Sequence, residues 1–347
     1  MTAAGAMLLR RSTDGFAPAA DAAAVPIAPQ DLGFLICVED NVLGAQAILL
    51  CESLRRYGGR YRSCPVWAIS PRPGRAPAPD VVAALRALGV TCIVQDLNTT
   101  GSDYGTVNRI VAAAWAESRI GRPYLCVLDT DMVFLGGPDF LEADAGVRPV
   151  DVKGTTSTGP GDEMEPYWEA ICGLAGLLPD HLPMLETAVC RTRVRASYNG
   201  GFLVARTRLG ILEATRRIFL DSFRQGLQTR PGQTVGIYAS TGDTGPEAAR
   251  WWGSSQAAMS AAIAARSAAI RVYGPGYNIP LHLGAQDGRP PFATGTPVLA
   301  HYHFLATERH RAGLLRALDC IGCPPPVRDW IGARCATLDW SDFVCGG

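Results

Sequence analysis

The sequence has no long hydrophobic run and no excess of charge of either sign. None of its apolar stretches approaches the roughly 20 residues that a membrane-spanning helix needs, so we predict no transmembrane segment. The 347 residues include 32 basic and 32 acidic side chains, and with a net charge of zero we predict no nucleic-acid partner. The hydrophobic content of 48% instead indicates a globular protein with a large buried core.

Lysine is almost absent, and so is the pattern of a secretory signal. Lys153 is the only lysine, so 31 of the 32 basic residues are arginine, a bias that we attribute to coding preference. Residues 1–30 are rich in Ala and Pro and lack the basic-then-apolar order of a signal peptide. We therefore predict a flexible N-terminal tail on a cytoplasmic protein.

The eleven cysteines do not indicate disulfide bonds. Cys126, for example, lies inside an apolar strand-like run, where a reduced thiol acts as a small hydrophobic side chain. The last four, Cys320, Cys323, Cys335 and Cys345, have a C-x2-C-x11-C-x9-C spacing that is loosely compatible with a structural zinc ion. Unligated thiols in a terminal extension are the alternative, because the second pair lacks a tight turn.

Short apolar segments alternate with helical ones between residues 33 and 128. The strand-like segments are GFLICVEDN, CPVWAIS, VTCIVQDL and PYLCVL, and the helical ones are LGAQAILLCESLRRYGG, DVVAALRALG and residues 107–117. This order predicts an α/β fold whose mixed, mostly parallel central sheet is flanked by helices in a doubly wound, Rossmann-like arrangement. In such sheets, ligands bind at the carboxyl ends of the strands.

The later part of the chain continues the same domain. Residues 136–197 are loop-rich, SYNGGFLVART predicts a strand, and LGILEATRRIFLDSFRQG predicts a helix. Two late strand-like segments, IRVYGPGYNIP and PVLAHYHFLA, follow. Because no internal repeat is visible, we predict one catalytic domain over residues 31–315 and a Cys-bearing C-terminal extension over residues 316–347.

The stretch VLDTDMVFL places two carboxylates, Asp129 and Asp131, at the end of the fourth strand of this pattern. Charged groups beside so much apolar surface need a partner. Carboxylate oxygens at this spacing can hold Mg²⁺ or Mn²⁺ between them. The alternative is a strand end whose aspartates cap the next turn.

Six stretches of the chain resemble nucleotide-sugar-dependent glycosyltransferases of the GT-A fold, and among these the family 8 enzymes most. The stretches are ICVEDNVLGAQAILLCESLRRYGG, VLDTDMVFL, YNGGFLVARTRLG, SSQAAMSAAI, GYNIP and VLAHYHF. They come in that family's order and span roughly Gly33 to His310. The resemblance implies a GT-A fold and a retaining hexosyltransferase that moves a sugar from a nucleotide donor, expected to be UDP-linked, to a hydroxyl group. The acceptor would be a glycan, a small molecule or a protein.

The resemblance also implies a set of site residues. The metal centre would consist of Asp129, Asp131 and the strand-ending histidine, for which both His301 and His303 are candidates. It would hold Mn²⁺ or Mg²⁺, with an imidazole favouring Mn²⁺. The remaining implied residues are Glu39, Asp40 and Asn41 near the nucleoside, Asn199, Gly200 and Gly201 along the sugar and acceptor pocket, Gln256 beside the anomeric carbon, and Arg109 and Arg309 at the phosphates.

The chain departs from the family pattern in two places. Ser255 precedes Gln256 where the family often has Asp, and HFLATERHR replaces the Gly and Lys that commonly follow the metal histidine. These departures leave the donor sugar and the retaining outcome open.

Two alternatives to a glycosyltransferase remain. DTDMV also fits a haloacid-dehalogenase-like phosphatase with Asp129 as nucleophile. Lys153 is too close to that motif to serve as the later lysine such enzymes need, and Asp243 is a lone candidate for their distal acidic pair. A non-catalytic nucleotide-sugar-binding protein is the other alternative.

Overall fold

The computed structural model describes residues 6–13, 15–20, 24–102, 104–153, 159–283, 295–303, 305 and 307–340. Its strands are β1 (Met7–Ser12), β2 (Gly15–Ala19), β3 (Leu32–Cys37), β4 (Val66–Ser70), β5 (Val90–Val94), β6 (Tyr124–Leu128), β7 (Met132–Phe134), β8 (Ala145–Pro149), β9 (Met184–Glu186), β10 (Arg193–Arg195), β11 (Tyr198–Arg206), β12 (Tyr238–Ala239), β13 (Gly242–Asp243), β14 (Ala269–Val272), β15 (Ile279–Pro280) and β16 (Leu299–His301). Its helices are α1 (Leu43–Tyr57), α2 (Pro79–Ala87), α3 (Thr106–Arg119), α4 (Glu165–Leu174), α5 (Ile211–Arg224), α6 (Gly245–Arg250), α7 (Ser254–Arg266), α8 (Glu308–Cys320) and α9 (Pro325–Cys335). None of the helices in these ranges is both long enough and apolar enough to cross a membrane.

Nine strands form the central sheet in the order β2-β1-β14-β8-β11-β6-β3-β4-β5. Strands β6, β3, β4 and β5 are mutually parallel, because a helix connects each strand to the next along the chain. Strand β11 runs antiparallel to both β6 and β8, whereas β14 is parallel to β8. The predicted α/β fold with a mixed sheet and flanking helices is confirmed, and its parallel half is the strand-helix alternation seen in the sequence.

Helices cover both faces of this sheet. Successive side chains of a strand point to opposite faces, and in β3 Leu35 packs with α3 on one face while Phe34 and Ile36 pack with α1 on the other. Strands buried on both faces read as continuous apolar runs, which is why LGFLIC and YLCVL contain no charged residue. The carboxyl ends of β3 and β6 are therefore among the few places in this core where polar side chains can gather.

The flexible tail predicted for residues 1–30 needs correction. Strand β1 (Met7–Ser12) pairs antiparallel with β14, and β2 (Gly15–Ala19) pairs antiparallel with β1. The N-terminal segment therefore adds a hairpin to the central sheet. Leu8 and Leu9 are both buried. The Ala- and Pro-rich composition concealed this strand, which covers an edge that β14 would otherwise expose.

The C-terminal helices pack on α1 instead of starting a separate unit. Leu49, Leu314 and Ile331 belong to one buried apolar cluster, which α1, α8 and α9 share. Helix α8 runs through the boundary that we predicted between residues 315 and 316, so the described part of the extension, up to residue 340, continues the fold of the preceding domain.

The cysteines of this region do not form the predicted zinc site within the part of the chain that the structure describes. Cys323 and Cys335 are buried in the shared apolar cluster, whereas Cys320 is exposed. No three ligand atoms of these residues come within metal-binding distance of one another. Cys345, the fourth predicted ligand, lies outside the described residues.

Candidate functional site

A cleft of about 740 Å³ lies at the carboxyl ends of β3 and β6, where a doubly wound sheet places its ligand. This volume is typical of a small-molecule site. Nine of the residues predicted from the sequence line it: Glu39, Asn41, Arg109, Asp129, Asp131, Asn199, Gln256, His301 and His303. Side chains that lie more than 260 residues apart in the sequence therefore face one space.

Four other predicted residues do not line the cleft. Asp40 forms an ion pair with Arg75 at the protein surface. Arg309 is exposed in the first turn of α8, because that helix turns its apolar side to the cluster shared with α1. The prediction that Arg309 closes over the phosphates is therefore not supported by its position. Gly200 and Gly201 lie directly behind the wall, in β11.

The turn after β6 is fixed by hydrogen bonds to two other elements. The Asp129 amide donates to the Gly201 carbonyl at 3.0 Å. The hydroxyl of Thr130, between the two aspartates, donates to the Gln46 side chain of α1 at 2.8 Å, and Gln46 donates to the Ser240 carbonyl at 3.2 Å. Ser240 lies in the turn between β12 and β13, so this network connects the two aspartates to the hairpin that lines the mouth of the cleft.

Strand pairing brings His301 beside Asp131. Strand β7, which begins at the residue after Asp131, pairs antiparallel with β16, and His301 lies opposite Met132. His301 Nε2 is 3.0 Å from Asp131 Oδ2, and only 5% and 4% of the two residues are exposed. The sequence separation of 170 residues is thus closed by one strand pair.

His303 joins the same group. Its ring centroid lies 4.5 Å from that of His301, and one ligand atom from each of Asp131, His301 and His303 lies within 4.8 Å of the others. His303 adopts a left-handed backbone with φ of 64°, a conformation that costs a non-glycine residue about 1 kcal/mol. Such backbone outliers concentrate at functional sites. One carboxylate and two imidazoles are a donor set that can hold a divalent cation.

Asp129 pairs with an arginine of the cleft wall. Its carboxylate forms an ion pair with Arg109 of α3, and it is not part of the group that contains Asp131. Burial alone would lower the pKa of Arg109, but the Asp129 carboxylate raises it above its ordinary value. Arg109 is therefore a permanent cation in the cleft wall.

The imidazoles differ in charge. Burial lowers the pKa of His301, but the Asp131 carboxylate outweighs it and raises this pKa to about 9. Burial together with the neighbouring His301 lowers the pKa of His303 well below its ordinary value and that of His282 to about 3. In the metal-free protein His303 and His282 are thus neutral at pH 7, which is the form that binds metal ions, whereas His301 carries a proton that a bound cation would have to displace.

Two residues of this site escaped the sequence analysis. His282 stacks on His303 with ring centroids 3.6 Å apart and an angle of 11° between the planes. Asp151, which follows β8, accepts a hydrogen bond from Asn199 Nδ2 at 3.2 Å. His282 follows the predicted strand GYNIP by two residues, a signal that could have been used, whereas Asp151 lies in a region that resembled a loop.

The other end of the cleft is built around Glu39. Arg72 donates to both carboxylate oxygens of Glu39, at 2.8 and 2.5 Å, and Asn108 Nδ2 donates to it at 3.2 Å. Asn41 accepts a hydrogen bond from the Leu43 amide at 3.0 Å and so caps the start of α1. Because its carboxylate is held by fixed donors, Glu39 is a rigid acceptor in the wall.

Gly201 leaves room for three functional side chains. A Cβ atom there would lie 2.9 Å from Asp129 Oδ2, 3.1 Å from His301 Cε1 and 3.2 Å from Asn199 Oδ1. Gly201→Ala should therefore displace these groups and lower turnover by about 100-fold, the usual cost of misplacing a catalytic group by about 1 Å. Steady-state rates of nucleoside-diphosphate release from a nucleotide sugar, compared between wild type and Gly201→Ala, measure this effect.

Gly173→Ala is the matched control for that experiment. Gly173 lies in α4, and a Cβ atom there meets nothing within 4 Å. We expect wild-type turnover in this variant and the same circular dichroism spectrum for all three proteins. If Gly201→Ala kept wild-type turnover, the close packing behind the cleft would have no functional role.

The ionised, buried carboxylate of Asp151 should lower the stability of the metal-free protein at neutral pH. Burial raises the pKa of Asp151 from its ordinary 3.8 to about 6. The folded state therefore disfavours the ionised form, and Asp151→Asn should stabilise the metal-free protein by at most about 3 kcal/mol above pH 6. The gain should shrink as the pH falls from about 6 to about 4. In this range Asp151 is already protonated in the folded protein, and it becomes protonated in the unfolded chain as the pH approaches 4.

Thermal unfolding of EDTA-treated wild type and Asp151→Asn at pH 4, 6 and 8 measures this gain. Asp96→Asn, at an exposed position, is the control and should leave Tm unchanged at each pH. Equal Tm values for wild type and Asp151→Asn at pH 8 would contradict the prediction.

The chain matches a known protein family. Residues 34–237, which are more than half of the chain, match the model of a family described as the Rhodobacterales glycosyltransferase domain. The matched range includes Glu39, Asp129, Asp131, Asp151 and Asn199 and ends before Gln256, His282, His301 and His303. A search of curated proteins found none that matches the chain.

Proposed function

Because the chain belongs to the Rhodobacterales glycosyltransferase domain family, we propose that it transfers a sugar from a nucleoside-diphosphate donor to a hydroxyl group in a reaction that needs a divalent cation. The observation that carries this proposal is the group of Asp131, His301 and His303 in a cleft at the carboxyl ends of a Rossmann-like sheet. The fold expected from this combination is GT-A, of the family 8 type. UDP is the proposed nucleotide and retention the proposed outcome.

The cleft has the charges that this reaction requires. A cation held by Asp131, His301 and His303 would stabilise the negative charge that develops on the diphosphate leaving group. Arg109 lies in the same wall, and its planar guanidinium can donate two hydrogen bonds to phosphate oxygens. Its ion pair with Asp129 holds that guanidinium in place.

The sugar would lie against the polar side chains between Asn199 and Gln256. Asn199 is oriented on both sides: it donates to Asp151, and its Oδ1 accepts from the Gly201 amide at 2.9 Å. Gln256 lies in the first turn of α7 and lines the cleft. Family 8 enzymes often have a carboxylate before this glutamine, whereas this chain has the buried Ser255. We propose that Asp151 supplies the missing carboxylate to the sugar hydroxyls.

The phosphatase alternative has little support in this cleft. A phosphatase of that type needs a lysine near its nucleophile, and the only lysine of the chain, Lys153, pairs with Asp162 and does not line the cleft. Asp129, the candidate nucleophile, is held by Arg109. A sugar-nucleotide-binding protein without catalysis is the alternative that an experiment must separate.

A panel of nucleotide sugars tests the proposal. The purified chain would be incubated with UDP-, GDP-, ADP- and dTDP-sugars and Mn²⁺, with and without EDTA, and the release of nucleoside diphosphate would be measured. We expect metal-dependent release from UDP-sugars. Release of phosphate from p-nitrophenyl phosphate, or donor binding by calorimetry without any release, would overturn the proposal in favour of one of the two alternatives.

A further inference from the structure

Three of the five histidines in the chain gather at one end of the cleft. His301 and His303 supply ligand atoms beside Asp131, and His282 stacks on the ring of His303. The stack of nearly parallel rings restricts the orientation of His303, since rotating that ring would lose the contact with His282. This centre therefore differs from a metal site made of two aspartates in that it contains imidazoles whose orientation is restricted.

Among the described residues, the group that can hold a metal ion contains one carboxylate, that of Asp131. Asp129, which would be the second hard oxygen ligand, uses its Oδ1 in the ion pair with Arg109 and contributes no atom to this group. Moving Asp129 to a cation would leave the half-buried guanidinium of Arg109 without its partner, which costs free energy. The donor atoms that this group brings together are thus two imidazole nitrogens and one carboxylate oxygen.

The backbone at His303 is also set for this arrangement. Residues at positions i and i+2 share a face only while the strand continues, and β16 ends at His301. The left-handed φ of 64° at His303 is what turns the chain there. Non-glycine residues with such a strained backbone cluster at functional sites, which is consistent with a functional role for the His303 side chain.

Ligand chemistry then determines the metal. Mg²⁺ and Ca²⁺ prefer sites made of oxygen atoms, whereas imidazole nitrogen suits Zn²⁺, Co²⁺, Ni²⁺ and Fe²⁺. For a nitrogen-containing site, affinity rises from Mn²⁺ through Co²⁺ towards Zn²⁺. We infer that this centre, through His303, selects a borderline transition-metal ion of the Zn²⁺ and Co²⁺ class over Mn²⁺ and Mg²⁺.

This inference rests on the metal centre of the proposed function, but it can fail by itself. If Mn²⁺ bound as tightly as Zn²⁺, the glycosyl-transfer proposal would stand and only the selectivity would be wrong. If no donor were cleaved with any metal, the selectivity could still be correct. For this reason the test measures metal binding without a donor.

The test is a competition titration of metal-stripped protein with Zn²⁺, Co²⁺ and Mn²⁺ against a metallochromic indicator. His303→Asn and His303→Asp are the informative variants, because Asn and Asp tolerate the left-handed backbone and should leave the fold unchanged. His310→Asn, which removes a histidine outside the cleft, is the matched control.

We expect wild type and His310→Asn to bind Zn²⁺ and Co²⁺ at least about 100-fold more tightly than Mn²⁺, and each His303 variant to lower that ratio by at least about tenfold. The Co²⁺ protein should also show visible d–d bands that are stronger in wild type than in either His303 variant. The same affinity ratio in wild type and both His303 variants, or a wild type that prefers Mn²⁺, would overturn the inference.

Discussion

Replacing Asp131 with Asn should remove Mn²⁺ binding and lower the turnover of donor cleavage by about 1,000-fold. Asp131 is the only carboxylate within the metal-binding group of the described residues, and its oxygen lies 3.0 Å from His301 Nε2. Asn keeps the shape of the side chain but loses the charge that attracts the cation. Calorimetric titration with Mn²⁺ and UDP, together with initial rates, measures both effects.

The design of this experiment separates loss of the site from loss of the fold. Asp319→Asn removes an exposed carboxylate of α8 that pairs with Arg328 of α9, outside the cleft. The metal affinity and turnover of this variant should therefore equal those of wild type. Equal binding of Mn²⁺ and UDP by wild type and Asp131→Asn would remove the metal assignment altogether. Since Asp131 also balances the charge of His301, Tm should be compared for all three proteins.

The second large effect is expected at Arg109. Arg109→Leu removes a cation from the cleft and should lower kcat by about 100-fold, because the developing phosphate charge loses one fixed donor. Arg109→Lys keeps the charge without the planar fork and should recover part of the loss, since a lysine holds phosphate only as a point charge. Comparing kcat and KM for the two variants distinguishes action on the leaving group from simple donor binding.

Arg309→Leu is the matched control, and it also tests the structure against the sequence. The resemblance placed Arg309 at the phosphates, whereas the structure shows it exposed on α8 and outside the cleft lining. We expect Arg309→Leu to retain wild-type kcat and KM. A loss in Arg309→Leu equal to that in Arg109→Leu would mean that α8 closes over the donor in a way that this structure does not display.

The selectivity inferred for the metal bears on both experiments. If the centre prefers Zn²⁺ or Co²⁺, residual bound metal can hide the effect of added Mn²⁺, so every protein must first be stripped of metal. The Asp131→Asn variant retains two histidines, and weak Zn²⁺ binding by these alone would be consistent with the donor set proposed here. Activity of that variant with Mn²⁺ would not.

The sequence by itself determined the parallel half of the sheet and the place of its aspartates. The alternation of apolar and helical segments predicted β3, α1, β4, α2, β5, α3 and β6, and each of these elements is present. Local patterns suffice for this, because a strand buried on both faces must be apolar along its whole length and a charged pair can follow only where it ends. Asp129 and Asp131 could therefore be placed at a cleft without a structure, whereas Asn199 was expected there only from the family resemblance.

Only the tertiary structure decided which of these groups work together. The sequence offered both Asp129 and Asp131 as metal ligands, with Asp131 the direct one, and left His301 and His303 as alternatives. Strand pairing between β7 and β16 instead joins Asp131 to both histidines, and α3 brings Arg109 to Asp129. Which side chains meet across 170 residues depends on the register of two short strands, and three-residue strands carry too little pattern for a sequence to specify their partners. The N-terminal hairpin and Asp151 also depend on distant segments, since β1 pairs with β14 and Asp151 accepts a hydrogen bond from Asn199.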